Sequence, residues 1–240
     1  MSDDLPSINA PMPSLTSTIL NLFGITIPNN LPEPIQMKTP PVDRIILIML
    51  DNFGLFEIVV HKPEFVISQS KALILLETEQ PLANDVLQQI FHGDLQTKDF
   101  NLMTYLNQNS KSTLMVGRQD DIVAYAGTSK VIPTKMDTNT WVSASKYLNR
   151  FDFQWIHFLD FENLYQNPIY KRGAPENLIK RLIHRTDKWM LGMYKQAAPN
   201  TLIMIVGNHG RKEISMSYDA NSKLAQWRKA STPVAVLCLK

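Results

Sequence analysis

Apolar residues recur along this chain in two spacings. Ile45-Ile46-Leu47-Ile48-Met49-Leu50 is an unbroken apolar run of strand length, the pattern of a strand buried on both faces. Similar runs at Ala72 to Leu76, Ser112 to Val116, Gln154 to Leu159, Thr201 to Val206 and Pro233 to Leu239 predict further strands. Helical spacing falls between them, near Leu82 to Phe91, Phe100 to Asn107, Thr140 to Leu148 and Glu176 to Lys195. In the last of these, Leu178, Ile179, Leu182, Ile183, Trp189, Met190 and Met193 make one apolar stripe, and Lys180, Arg181, Arg185 and Lys188 take the opposite side. Strands alternating with helices at this spacing predict a three-layer α/β/α sandwich around a mainly parallel sheet.

The front of the chain follows a different pattern. Prolines crowd it (Pro6, Pro11, Pro13, Pro28, Pro32, Pro34, Pro40 and Pro41), and Ser14 to Phe23 carries apolar residues at helical spacing. Ser14 is the expected N-cap of a short helix there and Gly24 its stop. The rest, through Pro41, is expected to lie as an extended arm over the domain. The division expected is therefore an arm at 1–42 and an α/β domain at 43–240. The sequence shows no internal repeat.

Composition narrows the classes. At 44% hydrophobic and 19% charged, the 240-residue chain has the make-up of a globular protein with an ample core. A net charge of +2, with basic residues scattered in short pairs such as Lys171-Arg172 and Arg211-Lys212, argues against a nucleic-acid partner. The single cysteine, Cys238, excludes an internal disulfide, and its apolar setting makes it a buried hydrophobe. The opening Met1-Ser2-Asp3-Asp4-Leu5-Pro6 is acidic and proline-broken, unlike a signal peptide, and no apolar stretch approaches the roughly 20 residues of a membrane helix. A cytoplasmic location without membrane contact is the expectation.

In parallel sheets ligands collect beyond the carboxyl ends of the strands. Three predicted strand ends carry polar groups: Asp51-Asn52-Phe53-Gly54, Asp160-Phe161-Glu162-Asn163 and Gly207-Asn208-His209-Gly210. Two carboxylates and an imidazole converging at one sheet edge could hold a divalent cation such as zinc. Each also has a local alternative. Asp51 could bind amides of its own loop, Asp160 could N-cap a helix from Phe161 to Tyr165, and His209 could cap groups in its turn. His61, His92, His157 and His184 have no partner at ligand spacing and are expected to be structural or superficial. Asp120 and Asp121 suggest a turn between strands.

Taken in order, these strand ends resemble the alkaline phosphatase superfamily. Asp51-Asn52-Phe53-Gly54 is similar to its "DGFG"-type opening, His157-Phe158-Leu159-Asp160-Phe161-Glu162 to its second metal-binding strand end, and Asn208-His209-Gly210 to its "DHG" signature. Leu22 to Pro28 resembles a "LLGIPIP" segment carried elsewhere in such proteins. The resemblance implies two metal ions beside a Ser or Thr nucleophile, the cations lowering its pKa and stabilising the transferring oxygens. It assigns Asp51, Asp160, Asn208 and His209 to ligand positions. Asn208 stands where an Asp belongs, Leu164 where a His belongs, and no histidine follows His209. Leu82, Ala83 and Asn84 supply no hydroxyl at the nucleophile turn.

This inventory implies no catalytic residue and no cofactor beyond one weakly held cation, zinc or manganese. The leading expectation is a catalytically inactive domain that binds a protein partner or a small anion. The first alternative is a metal-dependent phosphohydrolase, phosphodiesterase or phosphomutase with a rearranged site using Ser70 or Thr78. The second is a structural subunit, such as a homo-oligomer.

Overall fold

A computed structural model describes residues 7–78, 82–94, 99–170, 174–208 and 232–240. Its frame is one eight-stranded sheet among the described residues. The strands are β1 (Ser7–Pro11), β2 (Arg44–Leu50), β3 (Ala72–Glu77), β4 (Thr113–Gly117), β5 (Lys130–Pro133), β6 (Phe153–Phe158), β7 (Thr201–Gly207) and β8 (Val234–Leu239). Their order is β1-β3-β8-β7-β2-β6-β4-β5. Every neighbouring pair is parallel except those made by β8, which runs antiparallel to both β3 and β7. The mainly parallel α/β/α sandwich expected from the alternating pattern is thus the architecture observed.

The central strands are apolar on both sides because helices cover both. Ile45, Leu47, Met49 and Trp155 point into one core with α1 (Ser14–Leu22), α4 (Ala83–His92), α5 (Leu102–Gln108) and α6 (Gln119–Tyr125). Ile46, Ile48, Leu50, Ile156 and Phe158 point into the other. That second core is closed by α2 (Leu55–His61), α3 (Glu64–Gln69), α7 (Asp137–Tyr147), α8 (Asp160–Gln166) and α9 (Glu176–Gln196). Period-2 alternation in β2 and β6 therefore feeds two separate cores from the same strands.

The proline-rich front adds more to the sheet than an overlying arm. Ser7–Pro11 pairs in parallel with β3, from Ser7 opposite Leu73 to Pro11 opposite Glu77, and forms one edge. Proline suits an edge strand because it cannot donate to a ladder. The helix expected at Ser14 is present, but Pro13 takes the N-cap position and no side chain caps it. Residues Ser14 to Leu20 are all buried, because the chain folds back over the helix: Ile35 N–H donates to Thr18 Oγ1 and Ser17 Oγ to the Pro32 carbonyl. Gly24 stops the helix at φ +67°, a left-handed conformation that glycine adopts without penalty.

Sequence reading also left β5, α2 and α3 unassigned. All are short, and tertiary packing overrides weak periodicity in such segments. Asp120 and Asp121 lie in the first turn of α6, not in a turn between strands. Acidic residues there complement the helix dipole.

Candidate functional site

The carboxyl ends of β2, β6, β7 and β4 converge on a group of charges centred on a buried histidine. Asp51 follows β2, and His157 lies opposite Met49 in the β2–β6 register. Strand alternation then sends Asp51 and His157 to the same face. His157 is fully buried and Asp51 is 2% exposed. His157 Nε2 lies 2.8 Å from Asp51 Oδ2 and Nδ1 lies 3.0 Å from Asp121 Oδ2. A carboxylate on each ring nitrogen makes both of them donors, so the ring is an imidazolium. Burial alone would lower its pKa, but Asp51 and the hydrogen bonds to Asp121 and Asp51 outweigh it and push it up to about 10.

Arg118 extends this chain of charges. Its Nη2 donates to Asp121 Oδ1 at 3.0 Å and its Nη1 to Glu162 Oε2 at 3.0 Å. Burial works against an ionised Asp121, yet the His157 and Arg118 contacts hold its pKa below the usual range. Burial, with the nearby charge of Asp51, raises that of Glu162.

Asn208 closes the other side. Its Nδ2 donates to Asp51 Oδ1 at 2.8 Å, while its Oδ1 accepts the Asn52 N–H at 2.9 Å. Two local features allow so close an approach. Asn52 adopts φ +52°, a left-handed conformation that Asn tolerates better than most residues. Gly207 has no room for a side chain, since a Cβ there would lie 2.2 Å from the Phe53 carbonyl oxygen.

Asp160 does not join this group. Its Oδ2 lies 2.9 Å from Arg185 Nη2, which also donates to Asp137 Oδ2 at 2.9 Å. Asp160 is the first residue of α8 and not its N-cap; that position is Leu159. The amides of Leu159 and Asp160 are instead satisfied by Asp137 Oδ1 from α7. Burial and the charge of Asp160 push the Asp137 carboxyl up to about 6. Of the sequence-assigned ligand residues, the fold therefore brings Asp51 and Asn208 together and holds Asp160 in a second cluster. His209 lies outside the described residues.

The donors are poorly suited to a divalent cation. Both Asp51 oxygens already accept hydrogen bonds, and the one Asn208 atom able to ligate is taken by a backbone amide. His157 offers no lone pair while it bridges two carboxylates. Among the described residues, no three His, Cys, Asp or Glu side chains converge as a ligand set.

The expected nucleophile turn is partly visible. α4 begins at Ala83 after Leu82, and neither has a hydroxyl. Gln80 and Pro81 lie outside the described residues. Thr78 exchanges hydrogen bonds with the Gln89 side chain at the end of β3. In the sheet order β3 lies three places from β2, about 14 Å at normal strand spacing. Ser70 precedes β3, at the opposite edge of the sheet, and bonds the Ile67 carbonyl.

No family model and no curated protein matches the sequence. Solved structures do match its backbone. The C-terminal periplasmic domain of EcEptC from Escherichia coli, in complex with Zn, superposes with TM-score 0.56 at 13% identity over 83% of this chain and 73% of its own. The lipoteichoic acid synthase LtaP from Listeria monocytogenes gives 0.53 at 10% identity over 93% and 71%. A protein in the alkaline phosphatase superfamily from Vibrio parahaemolyticus gives 0.52 at 10% identity over 95% and 69%.

The chain has an alkaline phosphatase-like fold.

At these identities the likeness concerns backbone only. What the alkaline phosphatase-like scaffold carries here must be read from its own side chains. Sequence reading treated His157 as structural or superficial and did not see its role as the hub of the charge network. One signal was available: a histidine inside the apolar strand Phe153–Phe158, on the face of Trp155, needs buried polar partners. Asp121 is 36 positions away and Asp51 is 106, so only the folded chain brings them together. Among the described residues no helix is long and apolar enough to cross a membrane.

Proposed function

We propose that this domain works by binding a partner and not by phosphoryl transfer. One observation carries the reading: both oxygens of Asp51, the carboxylate ending the first central strand, are held by His157 and Asn208 in a buried site. A buried imidazolium there supplies the positive charge that a cation would otherwise bring. The lack of a hydroxyl on Leu82, Ala83 and Asn84 at the start of α4 supports the same reading.

The test is hydrolysis of p-nitrophenyl phosphate and bis(p-nitrophenyl) phosphate with zinc or manganese present. Rates at the uncatalysed background are expected. Metal-dependent turnover that disappears in Asp51→Asn would overturn the reading. One observation favours that rival: a fold neighbour was crystallised in complex with Zn. Under the rival, zinc would also raise the melting temperature, because a ligand that binds only the native state stabilises it.

A further inference from the structure

The long helix α9 presents an outer face with unusual charge. Asn177, Lys180, Arg181, His184, Arg185 and Lys188 line an open groove of about 480 Å³. Residues 177 to 188 span roughly 16 Å along a helix rising 1.5 Å per residue. Lys180, Arg181 and Lys188 are exposed and His184 is half-buried. Arg185 alone is matched, by Asp137 and Asp160. Among the described residues no carboxylate forms an ion pair with Lys180, Arg181 or Lys188, whereas His184 lies within reach of the Asp187 charge.

The acidic residues of this helix are committed elsewhere. Glu176 pairs with His61, and Asp187 accepts the amides of Phe65 and Val66. The opposite stripe, Ile179, Ile183, Met190 and Met193, is buried in the core. The helix is thus anchored on one side and carries uncompensated positive charge on the other.

We propose that the outer face of α9, through Lys180, Arg181 and Lys188, docks an acidic segment of a partner protein. The proposal gives the binding module its surface, and so rests on that reading of the domain. Charge complementarity selects the occupant: unmatched cations spaced along one helix face fit successive carboxylates along a peptide. An extended chain advances about 3.3 Å per residue, so some five residues would span the groove. Nucleic acid fits less well. The positive face is a single helix wide on a chain of net charge +2. The aromatic ring beside it is also engaged, since Trp189 stacks on Trp141 at 5.3 Å and lies under Arg185 at 4.4 Å.

The experiment follows the anisotropy of a fluorescein-labelled oligoglutamate peptide titrated with the whole chain at low salt. Binding is expected, with about a tenfold loss in Lys180→Glu/Arg181→Glu/Lys188→Glu. A control variant, Lys38→Glu/Lys71→Glu/Lys135→Glu, changes net charge equally and should keep affinity. Equal losses in both variants, or no binding by the unmodified chain, would overturn the proposal. So would tighter binding of a single-stranded oligonucleotide of matched charge. These outcomes judge the surface alone. Metal-dependent hydrolysis judges the non-catalytic reading, so the two can fail separately.

Discussion

The paired network around His157 and the open face of α9 hold charge in opposite ways. In the first, His157 and Arg118 are each flanked by two carboxylates. In the second, Lys180, Arg181 and Lys188 project into water with no paired carboxylate among the described residues. Buried charges must find partners, because desolvation without compensation costs several kcal/mol per ion. Exposed ones need none, so their accumulation on one helix leaves a surface able to bind. The charges at the ends of the central strands are spent on contacts within the fold, and the unpaired ones lie on the outer face of α9.

The sharpest way to break this contrast is to remove the buried cation. His157→Leu leaves Asp51 and Asp121 facing each other's charge without their common partner, and should cost about 3–5 kcal/mol in urea unfolding. A loss within experimental error would show the network to be dispensable.

An effect of similar size comes from pH. The folded His157 pKa of about 10 lies above the ordinary 6.5. Its contribution is therefore complete below the unfolded value and is lost as pH rises through the folded one. Between those limits stability should fall by roughly a few kcal/mol. His157→Leu should flatten this part of the profile.

Smaller again is Asn208→Asp, which restores the residue of the "DHG" signature. It places a second carboxylate where the Asn208 amide now donates to Asp51 at 2.8 Å. Repulsion should lower stability by about 1–3 kcal/mol at neutral pH, with recovery as the pH falls. Recovery on adding zinc would instead show a latent metal site. The smallest effect belongs to α9. Reversing Lys180, Arg181 and Lys188 should change folding stability by under about 0.5 kcal/mol, by thermal or urea unfolding, because exposed substitutions seldom do more.

Much of the frame was legible in the sequence. The strand run at Ile45 to Leu50 and the stripe of α9 announce themselves, since burial on both faces or on one face leaves a distinct period. The expected ligand residues Asp51 and Asn208 meet, as their places after parallel strands implied. What could not be read depends on contacts distant in sequence. β1 is recognised as a strand only by its pairing with β3, because its own residues, Ser-Ile-Asn-Ala-Pro, have little periodicity. Asp160 was drawn from the Asp51 group by Arg185 and Asp137, residues 25 and 23 positions away with no signature of their own. The two carboxylates that hold His157 likewise come from the turn after β2 and from α6, and nothing in the local sequence joins them.

Saturation of Asp51 by protein groups separates a binding domain from a metal-dependent enzyme. Equilibrium dialysis against zinc, followed by elemental analysis of the unmodified chain and Asp51→Asn, measures this directly. No stoichiometric zinc is expected in either protein. One or two equivalents held by the unmodified chain and lost in Asp51→Asn would contradict it.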